Sequence, residues 1–212
     1  TSTYKNIWHC CLPSRVSKPA DLQPMALLQF GSLWGGTDIG ERSTLSLRIN
    51  KMYRNKLILS AIGLISFCGV CLALISQYVF EMPPCAWCVF QRLIYLTISA
   101  MCLAGVVGQP SRTRISVFAA IVLALCLGGV TAAWYQANVA AQAFSCAQTF
   151  ADQVMTQSGL DATMPWLFGI FASCMDAKVT VLGLEYAYWS LILFMLLGAF
   201  ATVILLSSTR KR

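Results

Sequence analysis

Four apolar runs, at about residues 57–79, 89–108, 115–135 and 186–206, constrain this chain more than any other feature. Each is close to the roughly 20 residues a helix needs to cross a bilayer. Backbone polar groups in hydrocarbon must be satisfied within the segment, so an apolar run of that length implies a helix. With 58% hydrophobic and 11% charged residues in 212, and a mean hydropathy of +0.68, no ordinary soluble domain remains once the runs are removed. The expected fold class is therefore an all-α membrane protein, a four-transmembrane-helix bundle with two loops on one side of the membrane.

Placement of charge gives the orientation. Lys5, Arg15, Lys18, Arg42, Arg48, Lys51, Arg54 and Lys56 precede the first run, Arg112 and Arg114 separate the second from the third, and Arg210, Lys211 and Arg212 follow the fourth. The segment near 80–88 carries only Glu81, and the long loop at about 136–185 sets Asp152, Asp161, Asp176 and Glu185 against Lys178. Basic residues at span ends mark the cytoplasmic side. Both termini and the short middle loop are expected inside, with the two remaining loops outside. Spread over three short flanks, the net charge of +7 argues against a nucleic-acid partner.

Residues 1–52 read as a flexible cytoplasmic extension, and 53–212 as the membrane domain. The chain opens on Thr1, and Met52, directly before Tyr53-Arg54-Asn55-Lys56, is a candidate for the natural beginning. The first run is longer than the apolar core of a signal peptide and is read as a retained helix. His9-Cys10-Cys11 supplies three potential metal ligands but no fourth, which a closed structural site would need.

Of ten cysteines, Cys85, Cys88, Cys146 and Cys174 fall in or beside the expected outer loops, where disulfides persist. Four cysteines allow three pairings, and spacing does not choose among them. Phe67-Cys68-Gly69-Val70-Cys71 is also a C-x-x-C, but it lies mid-span with no charge nearby. Thiols there stay protonated and inert, so packing is the expected role, as for Cys102 and Cys126. Gly128-Gly129 suggests close helix contact.

Pro84-Cys85-Ala86-Trp87-Cys88-Val89-Phe90-Gln91-Arg92 is different. If the two prolines end an extended segment and start a helix, Cys88 lies in its first turn, where free N–H groups and the helix dipole favour a sulfur anion. Arg92, four residues on, shares that face. Either it snorkels to the interface or it orients a carbonyl-bearing or acidic group beside Cys88. Pro165-Trp166-Leu167-Phe168-Gly169-Ile170-Phe171 is too short to span; it is expected on the membrane surface near the Cys85–Cys88 motif, although burial against the bundle would read the same way.

The nine-residue motif resembles the signature of the DsbB family of inner-membrane disulfide-forming oxidoreductases. Four spans, a C-x-x-C in the first outer loop and two separated cysteines in the second complete the likeness over about residues 55–206. Ser173-Cys174, Leu182-Gly183-Leu184 and Trp189-Ser190-Leu191 resemble that family's run into its last span. Between them, Asp176-Ala177-Lys178-Val179-Thr180-Val181 lacks the expected aromatic, and no proline precedes Trp189. Those departures leave room for a specialised paralogue of the DsbI kind.

The resemblance implies a relay in the bacterial inner membrane. A periplasmic DsbA-like thioredoxin-fold protein would attack a loop disulfide, with Cys146 as mixed-disulfide partner and Cys174 as its mate. Electrons would pass to Cys85–Cys88, and from Cys88 to a membrane quinone, ubiquinone or menaquinone, near Arg92. His9, the one histidine, is expected on the other side, so imidazole base catalysis is not available. A vitamin K epoxide reductase-like protein would place its loop cysteines before the redox pair, the reverse of the order here. From another class, the four cysteines could staple a scaffold or transporter subunit without turnover, but a staple has no use for a helix-terminal C-x-x-C beside arginine. A four-cysteine zinc site is disfavoured because Cys146 and Cys174 stand apart.

Overall fold

The computed structural model describes residues 37–107, 111–142, 148–177 and 179–209. Cys146, His9-Cys10-Cys11, Lys178 and the basic tail Arg210-Lys211-Arg212 lie outside them, as do the charged residues before position 37. The chain divides into two compact units, Thr1–Ser46 and Leu47–Arg212. The first contributes only the opening turns of helix α1 to the description; the second carries everything that follows.

Four long helices dominate: α1 (Thr37–Tyr78), α2 (Ala86–Val106), α3 (Arg112–Asn138) and, after a long loop, α7 (Tyr186–Thr209). Each contains a stretch long and apolar enough to cross a membrane: Leu45–Val79, Ala86–Val106, Arg112–Gln142 and Tyr186–Ser208. The fold is thus the expected all-α four-helix membrane bundle. Helices α1 and α3 continue into the polar flanks of their apolar runs, and α2 starts at Ala86, ahead of its run, so that Cys88 lies in its first turn.

The packing is that of a protein solvated by lipid. Leu57, Leu64, Phe67, Leu72, Leu103, Leu127, Val203 and Leu206 all face outward. Such a belt would be an aggregation surface in water, and in a bilayer it is simply solvated. Inside, small residues let helices close up. A Cβ at Gly129 would sit 2.4–2.6 Å from the Phe194 ring, so α3 and α7 meet there only because that residue is glycine. Gly128 faces open space. Phe194 in turn stacks on Tyr95 of α2 with centroids 4.1 Å apart. Polar groups between the helices pair across the bundle at two places: Tyr95 Oη lies 3.0 Å from Ser190 Oγ, and Asn55 on α1 and Ser207 on α7 exchange hydrogen bonds of 2.8 and 3.0 Å.

Basic residues close one end of the bundle. Arg112 donates to the Ser208 carbonyl near the end of α7, and Arg114 Nη2 to the Ala104 carbonyl of α2 at 2.8 Å. Carbonyls in a helix's last turn lack intrahelical donors and carry the negative end of its dipole, so cations suit them.

At the other end the loop is mostly short helices. A 3-10 turn (Ala140–Gln142) is followed by α4 (Phe150–Gln157), α5 (Leu160–Thr163) and α6 (Pro165–Phe168). Thr149 and Asp152 form a reciprocal capping box that starts α4, and Pro165 starts α6. A two-residue hairpin precedes α7: β1 (Thr180–Val181) pairs antiparallel with β2 (Leu184–Glu185). Its turn residues Leu182 and Gly183 both take positive φ, 55° and 82°, the geometry a tight hairpin demands. This small strand pair was not expected from the sequence. Trp189 Nε1 holds it to α7 by donating to the Val181 carbonyl at 3.0 Å.

Candidate active site

The motif folds as its residues dictate. Neither Pro83 nor Pro84 has an N–H to offer, and α2 starts two residues later. Cys85 takes the N-cap position with extended backbone (φ −86°, ψ 169°), and its carbonyl accepts the first helical bond, from Val89 N at 3.0 Å. Cys88 is then the third residue of the helix, one turn above Cys85. Their sulfurs lie 3.2 Å apart as free thiols, Cys85 fully buried and Cys88 half-buried.

The loop between α3 and α7 brings in a third sulfur. Phe171 N and Ala172 N both donate to the Pro84 carbonyl, at 3.0 and 3.3 Å, so the segment after α6 is tied to the residue preceding Cys85. Ser173 then opens a capped turn: its Oγ donates to Asp176 Oδ2 at 2.6 Å, and its carbonyl accepts from Ala177 N. Cys174 sits on that turn against Cys85. The hydrogen bond between those two side chains, then the Cys88 contact and burial, push the Cys85 thiol well above its ordinary range. The same bond, received from Cys85, holds Cys174 below its ordinary value against the opposing effect of burial.

Arg92 is 5% exposed, enclosed by protein. Nη1 donates to Gln77 Oε1 at 2.6 Å and to the Leu167 carbonyl at 3.2 Å; Nη2 donates to the Ala73 carbonyl at 3.3 Å. α1 and α6 thus clamp it with neutral oxygens, while Nε is buried without a partner. The Leu167 contact, the burial of Leu167 and Phe168, and a 2.7 Å bond from Tyr78 Oη to the Trp166 carbonyl dock α6 on the bundle. Trp166 and Phe171 stay exposed. The aromatic segment therefore does both things the sequence allowed: it buries one side and presents the other outward.

Cys88 and Arg92 line one cavity, of about 30 Å³, with Ser76, Met82, Pro83 and Tyr186. A wider cleft of about 510 Å³ opens on the opposite side of α2, walled by Trp87, Phe90, Tyr135 and Phe150. Neither a sulfur nor a charge lines that cleft, so the smaller cavity is the one with chemistry. Its residues suit a carbonyl-bearing ring: apolar walls, a sulfur, and a guanidinium with a spare buried donor.

The other cysteines stay apart. Cys102 and Cys126 are buried in the helix core, whereas Cys68 and Cys71 are exposed on α1 and face outward, so the packing role expected of them holds for Cys102 and Cys126 alone. Two polar residues given no role above stand at the centre. Gln136, near the end of α3, donates from Nε2 to Cys88 Sγ at 3.1 Å, and Gln91 Nε2 donates to Gln136 Oε1 at 2.7 Å. A polar residue closing an apolar run was the available signal for Gln136; nothing in the sequence says which sulfur it meets.

The family model for disulfide bond formation protein DsbB matches residues 55–204. Disulfide bond formation protein B 1 of Pseudomonas syringae pv. syringae is 28% identical over 165 residues, covering 76% of this chain and 97% of the relative. Disulfide bond formation protein B of Nitrosospira multiformis is 29% identical over 142 residues, 66% of this chain and 84% of the relative. The protein of that name from Shewanella denitrificans is 33% identical over 147 residues, 65% and 77% respectively. With its four-helix membrane fold and a match running through every element of the site, the chain belongs to the DsbB family of disulfide-bond-forming membrane oxidoreductases.

Proposed function

We propose that this protein is a thiol:quinone oxidoreductase of the inner membrane, with both termini cytoplasmic, that reoxidises a periplasmic DsbA-like dithiol protein. The observation that carries the reading is the chain of contacts Cys174–Cys85–Cys88, ending at a cavity that Cys88 shares with Arg92. In bacteria the DsbA–DsbB–quinone system keeps the periplasm oxidising, which is the setting such a relay would serve.

Cys146 and Cys174 form the disulfide that meets the partner, with Cys146 taking the mixed disulfide and Cys174 leaving as a thiolate. Cys174 then attacks Cys85 of the Cys85–Cys88 disulfide. The Cys174–Cys85 bond forms, the Cys85–Cys88 bond breaks, and the electron pair goes to Cys88 as its thiolate. Exchange needs an attacking thiolate, a good leaving sulfur and access. The hydrogen bond Cys174 receives supplies the first, and the first turn of α2 with Gln136 supplies the second.

The cavity beside Cys88 would hold a quinone, ubiquinone or menaquinone, which would supply the two-electron acceptor. Arg92, held in place by Gln77, Ala73 and Leu167, would orient it by donating to a carbonyl. Met82, Pro83 and Tyr186 exclude water. At about 30 Å³ the cavity has room for roughly one water, so a ring enters only as these walls part. Each 30 mV between the sulfur couple and the acceptor corresponds to about 1.4 kcal/mol of driving force.

The test is quinone reduction by the purified protein, given a reduced thioredoxin-fold dithiol protein. Dithiol-dependent reduction that vanishes in Cys88→Ser supports the relay. If neither ubiquinone nor menaquinone is reduced by protein whose outer disulfides are intact, the oxidase reading gives way to a structural staple.

A further inference from the structure

Arg92 gives the site its charge, yet all its hydrogen bonds go to the oxygens of Gln77, Leu167 and Ala73. The side chain that donates to the Cys88 sulfur is a neutral one, Gln136. Its Nε2 lies 3.1 Å from Cys88 Sγ and 3.7 Å from Cys85 Sγ. Gln136 and Gln91 are 7% and 5% exposed. Burying two amides this deeply is unfavourable unless both ends are used. Gln91 Nε2 occupies Gln136 Oε1 at 2.7 Å, which fixes the amide plane and turns the NH2 end toward the sulfurs.

A neutral thiol or a disulfide sulfur is a weak acceptor, whereas a sulfur anion is a strong one. An amide NH2 cannot lose its proton in the working range, so it donates at every pH. The group is therefore matched to the moment when the disulfide opens and one sulfur takes the electron pair. The distances show which sulfur: Cys88.

We propose that Gln136 is a catalytic hydrogen-bond donor that selects Cys88 over Cys85 as the leaving sulfur when the Cys85–Cys88 disulfide is attacked, and that Gln91 is the positioning residue that aims it. The direction of the step rests on the relay proposed above. A nucleophilic thiolate adds to Cys85 Sγ and forms a new S–S bond there. The old bond breaks, and its electron pair ends on Cys88 Sγ, where it accepts from Gln136 Nε2. No proton moves. Attack at the other sulfur would put the charge on Cys85, farther from that donor and sealed from solvent.

Equilibrating the full-length protein with glutathione redox buffers tests this without quinone or partner, with peptide mapping to quantify the Cys85–Cys88 disulfide. Removing the donor destabilises the reduced pair. Gln136→Met, of similar size, shifts the equilibrium about tenfold toward the disulfide, roughly 30 mV more negative. Gln91→Leu shifts it the same way by about threefold, since Gln136 keeps its amide but loses its aim. Gln136→Asn, which retains an amide on a shorter stem, falls between Gln136→Met and wild type. Thermal unfolding of each variant confirms that the bundle is intact. Should Gln136→Met fail to fold, the Gln91→Leu and Gln136→Asn shifts decide. A folded Gln136→Met protein within twofold of wild type overturns the proposal, even if quinone reduction is normal. A tenfold shift in a protein that reduces no quinone leaves this inference standing and removes only the relay.

Discussion

The chain carries two C-x-x-C pairs seventeen positions apart in register, Cys68/Cys71 and Cys85/Cys88, and they share nothing but spacing. Cys68 and Cys71 sit mid-way along α1, exposed toward lipid, with no hydrogen-bonding partner among the described contacts of either sulfur. Cys85 and Cys88 stand at the start of a helix, beneath a loop pinned to Pro84, beside an amide donor and near a clamped arginine. A thiol in hydrocarbon has nothing to stabilise its anion and no water to carry a proton. One at a helix N-terminus, with a donor aimed at it, has the first of these built in. Spacing makes a dithiol possible, and surroundings decide whether it reacts.

Substitution tests that contrast directly. Cys85→Ser and Cys88→Ser should each abolish dithiol-driven quinone reduction, a loss of at least about 10³-fold, because nucleophilic sulfur has no substitute here. Cys68→Ser and Cys71→Ser should stay within about twofold of wild type in the same assay. Loss of turnover in either α1 variant, with the fold intact, would break the comparison.

Arg92 should come next. Arg92→Met strands the Gln77, Ala73 and Leu167 oxygens and removes the charge, so we expect turnover to fall about 10²-fold and stability by about 2 kcal/mol. Arg92→Lys restores charge without the fork that reaches α1 and α6 together, and should recover only part of either. Steady-state kinetics and denaturant titration in detergent would separate the two effects.

A smaller effect sets Cys85 against Cys174. Cys174 is held below the ordinary 9.0 by the bond from Cys85, and Cys85 above it by that bond, by Cys88 and by burial. As pH rises, Cys174 therefore ionises first, and Cys85 stays protonated beyond 9.0. In fully reduced protein at pH 8, iodoacetamide should modify Cys174 at least about tenfold faster than Cys85, read by peptide mass spectrometry. Equal rates would mean the two thiols do not share a proton.

The smallest effect lies in the helix core. Gly129→Ala drives a methyl into the Phe194 ring and should cost about 1–3 kcal/mol, whereas Gly128→Ala, which meets nothing within 4 Å, should cost less than about 0.5 kcal/mol. Thermal unfolding of the pair would show whether α3 and α7 touch at the first glycine and not the second.

How far the sequence announces all this depends on the range of the interaction. The four helices follow from runs of apolar residues, since lipid imposes its demand on each segment separately. The helix start at Cys85 follows from Pro83-Pro84, also a local matter. The tight turn at Leu182-Gly183 was less legible because Leu182 takes a positive φ that its side chain disfavours. Contacts made only on closure were hidden. Nothing local tells that the Pro84 carbonyl receives Phe171 and Ala172, that Leu167 lends Arg92 its carbonyl, or that Gln136 reaches across 48 residues to Cys88. A lone arginine near a span end reads equally well as snorkelling or clamped; the difference is made by α6, whose own sequence fits two placements.

The central claim is that Cys174 delivers electrons to Cys85 while Cys88 leaves, and trapping the cross-loop bond measures it most directly. A Cys88→Ser, Cys146→Ser protein keeps only Cys85 and Cys174 of the four loop and motif cysteines. After mild oxidation and digestion under non-reducing conditions, mass spectrometry should find one peptide pair joined through Cys85 and Cys174 in most of the folded protein. Both thiols remaining free, or pairing instead with Cys68 or Cys71, would contradict it.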